Sequence, residues 1–461
     1  MSDQDTSNDR KRSNFTRRQM IAGVSGLGLA GLAGCMGDGN DNGSAGENDN
    51  GSAGENDNGN GGNNTPTQAT ISWSWWNQVA NYPFIEDLNA DFEEDHPNIT
   101  VEYNGIPGSL DQYDQKITAQ VAAGEEPDVM KLGAESTYAT LAREGRLKNL
   151  KPLIDQDDEI STDDYIGDFS ETIFQPDEDT IYALPSGAGT IIMYYNTQMY
   201  SDAGWDEPPS TWDELRNALA DLKKNGVDVP YFLSFSGSAS RMFWNFANQK
   251  GPGIMNDDYT ECVVANDANV EALEYTINLH DEGLLKYSTE VELQNYSRTF
   301  GAGNTATTMG GPWVYADAKR NNNGDVAGST TIPSRTKGGP SGGVYTAKAF
   351  GMSQNPSDEK AAWELQKFLG HGKGVDYFVR DGGTGLSFLA DDEDHPAYDE
   401  VPVLRDHAKQ LKHAKLQYYG AESTAIINTI VPQLQAAQLG NKDPRQALED
   451  AQEEINNEVL G

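Results

Sequence analysis

Cysteine is almost absent from this 461-residue chain: Cys35 and Cys262 are the only two. No disulfide framework can hold it internally, and no Cys-x-x-Cys redox or zinc pair exists. Histidine is scarce as well, with six scattered residues: His96, His280, His371, His395, His407 and His413. None builds an HExxH, and His407 and His413 stand six apart rather than the four that aligns two ligands on a helix. Basic residues are outnumbered, 33 Lys and Arg against 72 Asp and Glu, for a formal charge of −39. So acidic a surface repels phosphate backbones, which excludes nucleic acid as a partner. Only concentrated salt screens its self-repulsion to a few ångströms. The composition therefore points to a halophilic protein whose carboxylates form a solvated coat. No metal site or cofactor motif is expected.

What is present begins with an address. Arg17 and Arg18 precede an apolar stretch from Met20 to Ala33, which ends in Leu32-Ala-Gly-Cys35. The stretch is short of the ~20 residues a spanning helix needs, and it is rich in glycine. Charged start, short apolar middle and small residues before a cysteine fit a removable leader. Paired arginines resemble a twin-arginine export signal, and Leu-Ala-Gly-Cys resembles a lipobox in which the Cys35 thiol takes the lipid. Residues 1–34 are read as the signal peptide. The Gly26-Leu-Gly-Leu-Ala-Gly31 run has the letters of a dinucleotide loop but lies in this leader, with no strand before it.

Residues 35–66 read as a lipidated cysteine followed by a linker. Asn40-Asp-Asn-Gly-Ser-Ala-Gly-Glu47 repeats unchanged as Asn48 to Glu55. Such a segment has too little apolar surface to offset its ordering entropy. About 30 flexible residues span ~30 Å, enough to hold a domain clear of a membrane. Asn42-Gly-Ser44, Asn50-Gly-Ser52 and Asn63-Asn-Thr65 are sequons for glycosylation.

From residue 67 onward short apolar runs alternate with amphipathic helices, which implies an α/β architecture of more than one core. Ala69 to Trp75, Ile99 to Tyr103 and Pro127 to Leu132 read as strands, and Thr190 to Tyr195 as a fully buried one. Helices are expected over 82–96, 113–123 and 137–144, from Thr211 with Ser210 or Thr211 as cap, and over 269–282, 356–369, 424–439 and 444–457. Cys262 in Glu-Cys-Val-Val is expected as a small buried group.

No P-loop is found and no nucleophile is singled out. Aromatic residues beside glycines stand out instead: Trp75-Trp76, Trp244, Met309-Gly-Gly-Pro-Trp313 and Tyr418-Tyr-Gly420. Rings next to permissive backbone suit a pocket for a flat, partly apolar ligand such as a sugar. Trp73 is assigned to the core on the side of the strand opposite to Trp75, and Trp212 and Trp363 are assigned to the core as well. Trp75, Trp76 and Trp313 are assigned to the ligand. Trp244 could serve either role.

In order along the chain come Gly124-Glu-Glu-Pro-Asp-Val129, Tyr182-Ala-Leu-Pro185 with Tyr194-Tyr-Asn196, and Ala203-Gly-Trp-Asp-Glu-Pro-Pro-Ser-Thr-Trp-Asp-Glu-Leu215. Thr308-Met-Gly-Gly-Pro-Trp313, Lys348-Ala-Phe-Gly351 and Asp443-Pro-Arg-Gln-Ala-Leu448 follow. This series resembles the family 1 extracellular solute-binding proteins of ABC importers, the group of maltose-binding protein, here as a twin-arginine lipoprotein of haloarchaeal type. The resemblance implies a two-lobed, type II periplasmic-binding-protein-like fold, each lobe a mainly parallel sheet flanked by helices and joined by a hinge. It divides the chain into an N-terminal lobe, 67–187 plus 349–388, and a C-terminal lobe, 188–348 plus 389–461. It implies a binding protein rather than an enzyme, a monomer that delivers a sugar to ABC permease subunits and their ATPase at the outer face of the membrane. Trp313 matches a stacking platform, Glu135 a hydroxyl acceptor, Trp75-Trp76 paired tryptophans of glucose-type binders, and Lys348 and Tyr419 other polar positions. Two departures bear on the ligand. Ser186-Gly-Ala-Gly-Thr190 has no carboxylate where maltose-binding protein has one, and Lys348 replaces an acidic residue of the glucose-type pattern. The competing readings are a lipid-anchored polysaccharide-active enzyme and the same fold binding a non-sugar solute.

Overall fold

The computed structural model describes residues 68–77, 84–108, 110–133, 137–165, 174, 179–234, 239–293, 295–380, 385–389, 395–420 and 422–461. Cys35, the leader, the linker and Glu135 lie outside the described residues. Eleven strands are described: β1 Ala69–Asn77, β2 Ile99–Pro107, β3 Val129–Gly133, β4 Ala183–Thr190, β5 Ile192–Asn196, β6 Tyr231–Leu233, β7 Leu285–Tyr287, β8 Thr307–Gly310, β9 Ala327–Thr330, β10 Val344–Met352 and β11 Lys415–Leu416.

They form two sheets flanked by helices. The first runs β11-β10-β3-β1-β2 with β4 on the other edge of β10; the second runs β7-β6-β8-β5-β9. Both sheets combine parallel with antiparallel pairs, and in the first β10 also pairs β11 in parallel. β1 pairs β2 and β3 in parallel, and β6 pairs β7 and β8 in parallel. β10 is antiparallel to β3 and β4, and β5 is antiparallel to β8 and β9. The antiparallel strands include those joining the sheets: β4 passes to β5 through Ile191 alone, and β9 passes to β10 through residues 331–343.

Local chemistry accounts for the elements. In the Trp212–Lys224 helix, Thr211 caps the start by accepting from the Glu214 amide, and Glu214 accepts from Ser210 in return. Such reciprocal bonds satisfy amides that the first turn leaves without partners. Trp212, Leu215, Ala218, Leu219 and Leu222 then form one buried stripe at helical spacing. On β1 the alternation is equally clear. Ile71, Trp73 and Trp75 enter one core with Phe84, Phe92 and Phe350, while the Ser74 hydroxyl lies 3.1 Å from Tyr113 on the opposite face. Cys262 is buried in the core of the second sheet, as are Trp212 there and Trp363 in the first.

Candidate functional site

The C-terminal ends of parallel strands are where open α/β sheets offer a crevice. β1 ends at Trp75-Trp76-Asn77 and β3 at Gly133, and β10 lays Lys348 directly opposite Gly133. Trp76 is half-buried there, with the Lys348 ammonium 5.4 Å above its ring. Lys348 itself is buried, and its carbonyl accepts from the Ser186 hydroxyl at 3.1 Å. Gly133 is also the last described residue before Glu135.

Trp75 does not belong to this edge, which corrects its assignment to the ligand. Residues two apart on a strand share a face, so Trp75 points with Trp73, not against it. Its ring is 1% exposed and packs 5.3 Å from Phe378 and 5.8 Å from Phe84. Below it the Lys131 ammonium lies 3.8 Å from the Phe378 ring and 4.7 Å from Trp75. This amine is fully buried without a hydrogen-bond partner, and burial, with Lys348 nearby, lowers its pKa well below the usual lysine value.

A second group forms a cavity of about 370 Å³ lined by Trp244, Tyr259, Tyr345, Lys415, Tyr418 and Tyr419 among others. Trp244 comes from the Ala239–Ala247 helix in the core of the second sheet. Tyr345 and Lys415 belong to β10 and β11 of the first. The walls thus come from both sheets. Tyr259 is 41% exposed and takes a positive φ of 57°, a left-handed backbone that a bulky residue rarely adopts. Asn256 and Asp258 side chains hold the turn by accepting from the Thr260 amide. Gly420 makes room for it, since a Cβ there would lie 3.2 Å from the Tyr259 Cβ. The Tyr259 and Tyr418 rings meet edge-on at 5.3 Å.

Trp313 opens the Trp313–Arg320 helix just after β8, and its ring lies over Gly311, where any Cβ would collide with it. Its indole donates to the Tyr296 hydroxyl at 2.8 Å, and it remains half-buried. Gly310 pairs with Ile192, the first residue after the crossing, so Trp313 sits at the end of the second sheet nearest the crossing. It is not among the residues lining the aromatic cavity. The structure therefore brings together Trp244 with Tyr419 in one cavity, and Trp76 with Lys348, while Trp313 packs against the core that also holds Trp244 and Tyr419.

Sequence reasoning passed over Tyr259, Tyr345 and Lys415. The Tyr418-Tyr-Gly420 run pointed to the wall, but the ring of Tyr259 is placed by a turn whose Asp-Asp-Tyr letters are ordinary. It also found no Gly-x-Ser-x-Gly nucleophile elbow, although Gly339-Pro-Ser341-Gly-Gly343 has the letters of one. That motif needs a strand before the serine and a helix after it. Here Ser341 precedes β10, and its buried hydroxyl has no hydrogen-bond partner to activate it. Among the described residues no three His, Cys, Asp or Glu converge to hold a metal ion.

Residues 75–370 match the profile of the bacterial extracellular solute-binding proteins. The chain belongs to this family. A binding protein of Brucella abortus is 26% identical over 295 residues, covering 62% of this chain and 68% of the relative. In fold this solute-binding protein is similar to an ABC substrate-binding protein from Listeria monocytogenes solved in complex with cycloalternan. The TM-score is 0.74 at 20% identity, over 85% of this chain and 99% of the other. It is likewise similar to the sugar-binding protein MalE of Xanthomonas citri, with a TM-score of 0.69 at 20% identity over 85% and 97% of the two chains. The fold is that of the MalE-like type II binding proteins. Among its described residues, no helix of this solute-binding protein is long and apolar enough to cross a membrane.

Proposed function

We propose that this solute-binding protein captures a sugar between two lobes outside the cell and delivers it, unaltered, to an ABC permease. The aromatic cavity whose walls come from both sheets carries this reading. A pyranose presents C–H faces that pack on rings and hydroxyls that need donors and acceptors. Trp244, Tyr259, Tyr345, Tyr418 and Tyr419 supply rings, four of them with phenol groups, and Lys415 adds a donor. Trp76 with Lys348 and Trp313 supply further contacts at the facing sheet ends, and Glu135 accepts a hydroxyl. Two relatives of the same fold are described with a cyclic sugar and as a sugar-binding protein.

The lobes are taken as the two sheets with their helices. This corrects the expected bounds of 67–187 with 349–388 and 188–348 with 389–461, because Thr190, Tyr345 and Lys415 are hydrogen-bonded into the first sheet. Ligand touching both lobes favours their closure. The monomer is lipid-anchored through Cys35 after twin-arginine export of the haloarchaeal type, and residues 35–66 link the anchor to the lobes. Its function is binding, not catalysis. Thermal melts in concentrated salt with D-glucose, maltose, maltotriose and D-mannitol test it, because excess ligand raises Tm by mass action. One of them is expected to shift Tm and to be recovered intact. A sugar that is cleaved, or no shift with any of them, overturns the reading.

A further inference from the structure

The two sheets are joined at Ile191 and at residues 331–343, and a single helix, Val403–Leu411, lies against both connections. Its side chains reach both. The His407 ring is fully buried, with Nδ1 2.7 Å from the Thr190 hydroxyl and Nε2 2.9 Å from the Tyr194 hydroxyl. Thr190 is the last residue of β4 in the first sheet, and Tyr194 lies in β5 of the second. One imidazole therefore spans the crossing residue. One helical turn on, Gln410 is also fully buried; its Oε1 accepts from the Ile332 amide at 2.9 Å and its Nε2 donates to the Gly342 carbonyl. These are the two ends of the second connection. Gly343 has a φ of 95°, and a Cβ there would lie 2.9 Å from the Gln410 amide nitrogen. Asp406 adds a bond from the Ser329 hydroxyl in β9 at 2.7 Å. The connections are themselves joined, since the Ile191 amide donates to the Val344 carbonyl at 3.1 Å.

Apolar side chains would fill this volume without the desolvation cost of a buried imidazole and amide. What the polar groups add is direction: each bond holds only over a narrow range of angle. A hinge works by letting a few residues absorb a large change in φ and ψ. Ile191 cannot do so freely while one ring holds both of its flanks. We infer that the Val403–Leu411 helix is a brace that sets the angle between the lobes, with His407 and Gln410 as positioning residues for ligand capture. The inference rests on the two-lobe capture reading given above. A braced protein holds its two binding surfaces near the productive spacing before the ligand arrives, so less freedom is lost on binding.

Near-isosteric variants test it: Thr190→Val, Tyr194→Phe and, independently, Gln410→Met. Each removes a polar contact to the brace and leaves every cavity residue in place. Spin labels at Glu94→Cys on the first lobe and Lys224→Cys on the second, both exposed, report the inter-lobe distance by pulsed electron resonance. Without ligand, the distance distribution is expected to broaden in each variant. Maltose affinity is expected to fall roughly threefold to tenfold, the usual range for coupling through a conformational element. Folded variants with the wild-type distribution and affinity overturn the brace, even if their Tm has dropped, because a merely structural role lowers Tm alone. If the wild-type distance does not change with any sugar that binds, the capture reading fails, while the ligand-free distributions still decide the brace.

Discussion

The Nε2 of His407 and the hydroxyl of Tyr194 stand 2.9 Å apart, both fully buried. Thr190 completes the arrangement, because its hydroxyl also lies 3.2 Å from the His407 carbonyl. One set of protons satisfies every atom. Thr190 donates to that carbonyl and accepts from Nδ1–H, and Tyr194 donates to Nε2. This assignment, made from the bonding network, requires the neutral ring.

Burial pushes the His407 pKa down from the ordinary 6.5 to about 3. The unfolded chain takes up this proton near 6.5, and the native chain holds it off until about 3. Between these values the unfolded state binds more protons, so the contribution is full above 6.5 and is lost as pH falls toward 3. The slope is at most about 1.4 kcal/mol per pH unit. Denaturant titrations at several pH values should show His407→Gln with a shallower loss of stability over this window. Equal slopes for the two proteins would mean that His407 does not stay neutral.

Lys131 should be a cost to the fold. Its buried amine has no hydrogen-bond partner and faces three aromatic rings. Because its native pKa is lowered, the unfolded state gains by protonating it at neutral pH. Lys131→Met should stabilise by about 1–3 kcal/mol, the usual cost of an unsatisfied buried polar group. A melting scan would show a rise of a few degrees; a fall in Tm would show that the amine is held by more than packing.

The neighbouring tryptophans should separate by role. Trp75→Ala should cost about 3–5 kcal/mol in stability, as for a large ring removed from a core. Trp76→Ala should leave Tm without ligand nearly unchanged and weaken sugar binding about tenfold, since 1.4 kcal/mol is one decade. Tyr259→Ala should weaken sugar binding like Trp76→Ala, while the left-handed backbone at φ 57° stays strained because alanine keeps its Cβ. Calorimetric titration beside melting scans checks all three. Destabilisation by Trp76→Ala equal to that by Trp75→Ala would place both rings in the core.

Salt should be required for folding. With 72 acidic residues and only 33 basic ones, lowering ionic strength lengthens the screening distance and exposes carboxylate repulsion. The far-UV circular dichroism signal should decay below molar salt and recover in part with ligand. Full stability in dilute buffer would remove the halophilic reading.

Cys35→Ser should release the protein or leave its leader uncleaved, and Arg17→Lys with Arg18→Lys should block export. Cell fractionation reads both. A variant without Cys35 that still carries lipid would overturn the anchor.

Much of this was legible in the chain itself. The Trp212–Lys224 helix declares its cap and its apolar stripe locally, and Cys262, Trp212 and Trp363 are buried as expected. Trp73 is buried too, although it was assigned to the core by setting it on the face opposite to Trp75. The face of Trp75 was legible too, by the two-residue period that places it with Trp73, and was misread. Patterns of this kind act within a few residues, which is why the letters alone carry them.

Tertiary structure decided the rest. Trp244 and Tyr345 line one cavity from two sheets, and Tyr259 meets Tyr418 beside a turn for which Gly420 leaves room. His407, one of six scattered histidines in the sequence, became a ring that touches both strands of a crossing. Composition and helix pattern are properties of neighbouring residues, so the sequence determined them alone. Which distant side chains share a cavity or a hinge depends on how two sheets are joined, and only the folded chain brings residues 190, 194, 332, 342, 407 and 410 within hydrogen-bond reach.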